Sequence, residues 1–222
     1  MSDDVNNEIK PPRRYDATRR RAQAAQTRAE ILTAASDLFL EHGYAGTTLS
    51  AVAKAAGVVV ETVYRAFGSK AGLLRAVVEA AVAGGADRAA VPAEERPAIQ
   101  AVIAERDPRR QLALYARTQP GIHARQGPIL RVLAQAAGAD PELARVLEGL
   151  EEQRLGGLCR FAQLLADRGA LRDGLSVDEA RDLIWTLASP AVHDLLVIQR
   201  GWPPDRYRDW LAGALADALL PG

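Results

Sequence analysis

Three histidines, His42, His123 and His193, and one cysteine, Cys159, are the side chains of this 222-residue chain best suited to metal or nucleophilic chemistry. Their spacing does not support it. No HxxxH or HExxH pair puts two imidazoles on one helical face, and neither a Gly-x-Ser-x-Gly elbow nor a glycine-rich phosphate loop occurs. The chain therefore reads as a non-enzyme, with no metal and no cofactor. Cys159, in the apolar run LGGLCRFAQLL, reads as a small core residue, and a single cysteine excludes an internal disulfide. A second set of side chains suits a different chemistry. Thr47, Thr48, Thr62, Tyr64, Arg65 and Lys70 are hydroxyls and cations within one short stretch, with Glu61 among them. They can donate to phosphates and to hydrogen-bonding edges, provided that the backbone gathers them on one exposed face.

The element that must do so is residues 44 to 73, YAGTTLSAVAKAAGVVVETVYRAFGSKAGL. Leu49, Val52, Ala53 and Ala56 fall at i, i+3, i+4 and i+7, one apolar face of a short helix that Gly57 stops. Val63 and Phe67, four apart, make the inner side of a second helix and leave Glu61, Thr62 and Arg65 outside. Two short helices joined by so brief a turn cross steeply, which is the geometry of a helix-turn-helix. The outer side of the second helix is then free to enter the major groove of DNA. Thr47 or Thr48 is the natural N-cap of the first helix, and a hydroxyl there is also placed to meet a phosphate.

At GTTLSAVAKAAGV and TVYRAFGSKAGLL the chain resembles the DNA-binding head of the TetR family of transcriptional repressors, the close match covering roughly residues 27 to 75. The resemblance implies an all-α fold, an N-terminal three-helix helix-turn-helix DNA-binding domain followed by a C-terminal helical ligand-binding and dimerisation domain. It also implies release from DNA when an effector changes the spacing of the two heads. The expected divisions are a flexible basic arm over 1–22, the DNA-binding domain over 23–70, and the effector-binding and dimerisation domain over 71–222. Val59, Val60 and Glu61 depart from the Ser, Lys or Gly common in the family. Glu61 is repelled by phosphates but can accept from a cytosine N4 amine, and Val60 can touch a thymine methyl. The expected DNA-binding set is Arg19, Arg20, Arg21, Arg28, Thr47, Thr48, Val59, Val60, Glu61, Thr62, Tyr64, Arg65 and Lys70. The arginines of the arm either lie in the adjoining minor groove or add only non-specific attraction.

Charge agrees with this division. Residues 9–70 carry ten Lys or Arg against five acids, whereas residues 71–222 carry eighteen against twenty, although the whole chain is neutral. A basic head on a mildly acidic body suits a polyanion-binding module fused to a partner domain. No run of about 18 apolar residues indicates a membrane span, and the acidic N-terminus MSDDVNNEIK does not resemble a secretion signal, so a cytoplasmic location is expected.

Beyond the head, GGADRAAVPAEERP reads as a loop or linker. Helices are expected from Pro108 to about Ile122, from Ile129 to Ala137 after a break at Gly127 and Pro128, and from Asp140-Pro141 to Gly169. Another runs from the capping box Ser176–Glu179 to Arg200, bent at Pro190, and a last one follows Pro203 and Pro204. One recognition helix reads too few base pairs to find a site in a genome, so a homodimer on a palindromic operator is expected. The dimer candidates are Leu183, Leu187, Leu195, Trp210, Ala214 and Ala218, which can equally serve the protomer's own core. A small, mainly apolar effector is expected among Tyr115, Gln119, His123, Gln135, Trp185 and His193, each of which is as much at home as a satisfied core residue. The alternative to a regulator is a helical dimeric adaptor that has lost DNA binding, suggested by Val59 and Glu61.

Overall fold

The computed structural model describes residues 14–222, with side chains from Arg19 onward, and these residues are helical with no strand. Of the arm expected over residues 1–22, residues 1–13 lie outside the described residues. The first helix, α1 (Arg14–Gly46), begins well before Thr27, so Arg19, Arg20 and Arg21 sit exposed on a helix rather than on an extended arm. Ile31, Ala35 and Phe39, four apart, are fully buried along its inner face, but His42 is exposed. Regular geometry stops at Gly43, whose φ of 68° and ψ of 179° suit a residue without a Cβ.

The next two elements follow the apolar spacing. In α2 (Leu49–Ala55) the buried residues are Leu49, Val52 and Ala53, and Thr48 caps it by accepting from the Ala51 N–H at 3.1 Å. Gly57, with φ at 66°, turns the chain into α3 (Val60–Phe67), where Val63 alone is fully buried. Ser69 caps α4 (Lys70–Ala83) by accepting from the Gly72 N–H at 3.0 Å. Eight residues of α4 are buried, so it is enclosed on more than one side and serves both halves of the molecule.

The stretch expected as a linker is instead folded. It forms α5 (Ala86–Ala89), a 3₁₀ turn (Ala93–Glu95) and α6 (Pro97–Ala104), with proline at the first helical position of α6. The break expected near Gly127 is also absent. α7 (Pro108–Ala137) runs through Pro120 and Pro128 as one helix of 30 residues. Each internal proline forfeits one backbone bond, to the carbonyls of Ala116 and Ala124. Burial of Leu112, Ala116, Ile129 and Leu133 on either side of them outweighs that loss.

α8 (Pro141–Asp167) starts from the Asp140 cap and stops at Gly169, as its signals predict. Both halves of the Ser176–Glu179 capping box are made at the start of α9 (Val177–Leu187). The helix expected to continue to Arg200 does not. Ser189 is extended (φ −78°, ψ 150°) and caps α10 (Pro190–His193), so Pro190 occupies a helix start rather than a kink. A π turn over Asp194–Gln199 follows, and α11 (Pro204–Leu219) completes the chain.

Two hydrophobic cores result. The first joins α1, α2, α3 and α4 to Ile129 and Leu133 of α7 and Leu143 of α8; the second joins the start of α7 to α8, α9 and α11. The boundary expected between residues 70 and 71 thus cuts through the first core. Among the described residues no helix is long and apolar enough to cross a membrane.

Candidate nucleic-acid interface and interior polar cluster

The α2–α3 unit is set against α1 and α4 by polar contacts as well as apolar ones. Thr47 is buried, and its hydroxyl lies 2.8 Å from the Gly43 carbonyl and 3.0 Å from that of Leu38, two acceptors left open where α1 stops. The ammonium of Lys70 donates to the carbonyls of Tyr44 (2.8 Å) and Thr47 (3.0 Å) and sits 4.1 Å from the Tyr44 ring centroid. Arg28 reaches across from α1, its guanidinium 4.4 Å from the Phe67 ring centroid and its Nη1 donating to the Ala66 carbonyl. Thr47, Lys70 and Arg28, expected in the DNA-binding set, thus also hold the helices in place. Their donors are drawn inward because helix ends leave carbonyls that nothing else in the head satisfies.

What remains outside is a continuous face. Val59 is 65% exposed and Tyr64 53% exposed, with Glu61 and Arg65 exposed beside them and Val60 and Thr62 half-buried. Val59 offers no side-chain cap to α3, and Glu61 in the first turn is the group that favours the positive end of that helix. An open cleft of about 440 Å³ lies next to this face, lined by Thr48, Ser50, Tyr64, Gly68 and Ser69 among others. Ser50 and Lys54, also exposed, belong to the same side of α2. Their spacing of four shows that shared face in the sequence, but attention to the apolar stripe passes over it.

The body holds a second concentration of polar side chains, in its interior. His123 of α7, His193 of α10 and Tyr207 of α11 form a triangle of rings, with centroids 4.9 Å (His123–His193), 5.1 Å (His193–Tyr207) and 6.2 Å (His123–Tyr207) apart. All three are buried. Gln126 Nε2 lies 3.0 Å from His123 Nδ1, and His193 Nδ1 lies 3.3 Å from Asp194 Oδ1. Two atoms of the triangle, His123 Nε2 and the Tyr207 hydroxyl, have no hydrogen-bond partner.

Burial holds the His123 imidazole down to a pKa of about 3, with His193 and Arg154 adding to the effect and Asp194 and the Ala188 carbonyl opposing it. The same burial raises Tyr115 to about 12 and moves Tyr207 up as well. Arg154 from α8 closes the break between α9 and α10, its Nη2 donating to the carbonyls of Trp185 (2.7 Å) and Ala188 (3.1 Å).

Of the residues expected around an effector, His123 and His193 are brought together, and the charge of Arg154 acts on both Tyr115 and Tyr207. Gln119 is buried but bonded to Thr118. Trp185, 40% exposed and bonded to Glu151, is at the rim. Gln135 is exposed near the end of α7, two residues past the buried Leu133 and so on the opposite face, and does not join them. Tyr207, Gln126 and Arg154 were not anticipated, because each lies among apolar or charged neighbours that mark an ordinary helix. Among the described residues no three His, Cys, Asp or Glu side chains gather as metal ligands.

The dimer candidates divide similarly. Leu183, Leu187, Trp210 and Ala218 pack against the second core of their own chain, and Ala214 is half-buried. They are needed there because α9 and α11 enclose that core. Leu195 (52%) and Ile198 (63%), on the π turn, are left exposed.

Comparison with known proteins agrees with this geometry. Residues 31–77 match the family model described as bacterial regulatory proteins, tetR family. The HTH-type transcriptional repressor BepR of Brucella suis biovar 1 is 28% identical over 196 residues, 83% of this chain and 87% of that protein. The structure of NalD, the secondary repressor of the MexAB-OprM multidrug efflux pump in Pseudomonas aeruginosa, is 27% identical with a TM-score of 0.64, covering 88% of this chain and 97% of that one. The Bacillus subtilis transcriptional regulator FadR, solved with stearoyl-CoA, shares the fold at 19% identity and a TM-score of 0.63, over 84% of this chain and 96% of that one. Residues 31–77 thus match the tetR family of bacterial regulatory proteins, and over most of its length the chain is similar to transcriptional repressors of that kind.

Proposed function

We propose that this protein is a ligand-responsive repressor that binds a palindromic operator as a homodimer and leaves it when a small, mainly apolar effector enters the helical body. The exposed outer face of α3, with Val59, Glu61, Tyr64 and Arg65 free of the protein's own packing, is the observation that carries the reading. A surface that exposes a valine and a tyrosine beside an arginine is ill explained by solubility and well explained by a partner. Arg65 and Tyr64, with Thr48 and Ser50 across the cleft, supply phosphate and base-edge donors, and Val60 and Glu61 supply sequence preference. Arg19, Arg20 and Arg21 extend the basic surface along α1. Two such heads are needed for useful specificity. Leu195 and Ile198 support pairing through the π-turn face. Relatives named as repressors, BepR and NalD, favour repression over activation.

The test is a mobility shift with duplexes that tile the DNA upstream of the protein's own gene. The reading requires one salt-sensitive shift on a palindromic segment, with two chains per duplex, weakened at least tenfold by Arg65→Ala. The adaptor reading, which Glu61 on the exposed face of α3 favours, requires no shift on any duplex at low salt.

A further inference from the structure

The interior cluster is unfinished as it stands. His123 is 3% exposed and Tyr207 is not exposed at all, yet the Tyr207 hydroxyl reaches no partner, and His123 Nε2 makes no hydrogen bond of good geometry although the Ala188 carbonyl acts on that ring. Leaving a buried donor unmade is costly, and two such atoms on neighbouring rings point to something that completes both. The chemistry of the missing group follows from the tautomer. Gln126 presents its amide nitrogen to His123 Nδ1, which must then accept, so the proton of the neutral imidazole is on Nε2. The tyrosine hydroxyl is a second donor.

Both donors therefore call for an acceptor. A cation is disfavoured because Arg154 bears on His123, Tyr115 and Tyr207 together. The surroundings are rings: Tyr115 against Phe161 at 5.1 Å, and Trp210 at 6.0 Å from Tyr207. Beside them the chain is irregular, with the extended Ser189 and the π turn over Asp194–Gln199, a kind of helix fault common at functional sites.

We propose that His123 Nε2 and the Tyr207 hydroxyl are the polar anchor of the effector site, and that the effector is an aromatic molecule presenting one hydrogen-bond-accepting oxygen, a carbonyl or a carboxylate. This rests on reading the body as an effector domain, and it selects against cationic ligands. Gln126 sets the imidazole tautomer and is a positioning residue. Tyr115, Phe161 and Trp210 offer ring faces to the ligand body.

Calorimetric titration of the full-length protein with benzoate, acetophenone and benzylammonium tests it, in the wild type and in Tyr207→Phe. Binding of benzoate or acetophenone, with at least tenfold weaker uptake of benzylammonium and about tenfold weaker uptake of the bound probe by Tyr207→Phe, supports the proposal. Benzoate exceeding acetophenone assigns a carboxylate ligand, and the reverse assigns a carbonyl. Tyr207→Phe removes only an unpartnered hydroxyl and should keep the wild-type melting temperature, so lost binding in that variant is not lost folding.

Equal uptake of all three probes, unchanged affinity in Tyr207→Phe, or no uptake of any probe because the two atoms hold only an internal water, overturns it. A mobility shift on the same preparation separates the two readings. DNA binding retained without probe uptake sinks this inference alone, and probe uptake by a protein that ignores DNA sinks the repressor reading alone.

Discussion

The ammonium of Lys70 spans two carbonyls at the α1–α2 turn and stacks on Tyr44, so its first duty is to the fold. Lys70→Met should lower unfolding stability by about 2 kcal/mol, read from the urea midpoint, since hydrogen bonds to a charged group carry that order of energy. The salt dependence of DNA binding should stay as in the wild type, whereas a phosphate contact in each of two chains would reduce the slope by about 2. His123 allows a prediction with a definite sign. Its folded pKa, about 3, lies below its ordinary value of 6.5, so burial favours the neutral ring. The stabilisation is complete above pH 6.5 and is lost as pH falls from 6.5 towards 3, at up to about 1.4 kcal/mol per unit, or about 2 kcal/mol by pH 5. Urea midpoints at pH 7 and pH 5 check this, and His123→Gln should flatten the difference. The sequence named His123 and His193 but not their meeting, because the two lie on different helices and Tyr207, which packs against both rings, comes from a third and carries no local pattern.

At the scale of elements, the turn between α3 and α4 depends on Gly72. A Cβ there would stand 2.2 Å from the Phe67 carbonyl oxygen, a backbone atom that cannot swing away. Gly72→Ala should therefore cost about 3 kcal/mol by overpacking, measured as a lower thermal midpoint, and should displace α3. Val59 precedes α3 without a side-chain cap. Val59→Ser should stabilise the head by about 1 kcal/mol, visible in the same melt.

Caps and periodicity made most elements legible in advance. Thr48, one of the two threonines expected at the start of α2, caps it, and Asp140 and Ser176 cap the helices they were expected to start. The failures have one cause. Pro120 and Pro128 carry local stop signals that tertiary burial overrides, and the linker after Gly84 folds because Ala86 and Ala89 pack against the first core. Long-range packing has no local signature. In the head, apolar spacing located the exposed face of α3, but not the bonds that Arg28, Thr47 and Lys70 make to the head's own carbonyls, because a cation or hydroxyl near a helix end reads the same whether it meets a phosphate or a carbonyl.

The whole molecule is two cores that share α7 and α8, with direct ties between its halves. Ser69 Oγ donates to Glu142 at 2.9 Å and Arg125 donates to the Ala81 carbonyl at 3.0 Å, so movement of α7 or α8 bears on the recognition unit. On the proposed reading, that linkage is the route by which an occupant near His123 would reposition the heads of a paired molecule. Leu195→Glu together with Ile198→Glu should shift sedimentation from dimer to monomer and abolish the operator shift, while leaving the circular dichroism of the helices intact.

The most direct measurement of the central claim is the anisotropy of a labelled upstream duplex titrated with protein at several salt concentrations. The exposed α3 face predicts a steep fall of affinity with salt in the wild type. In Arg65→Ala the slope should be shallower by about 2, one lost phosphate contact in each of two chains. An affinity and slope that Arg65→Ala leaves unchanged, or no binding at low salt, would contradict it.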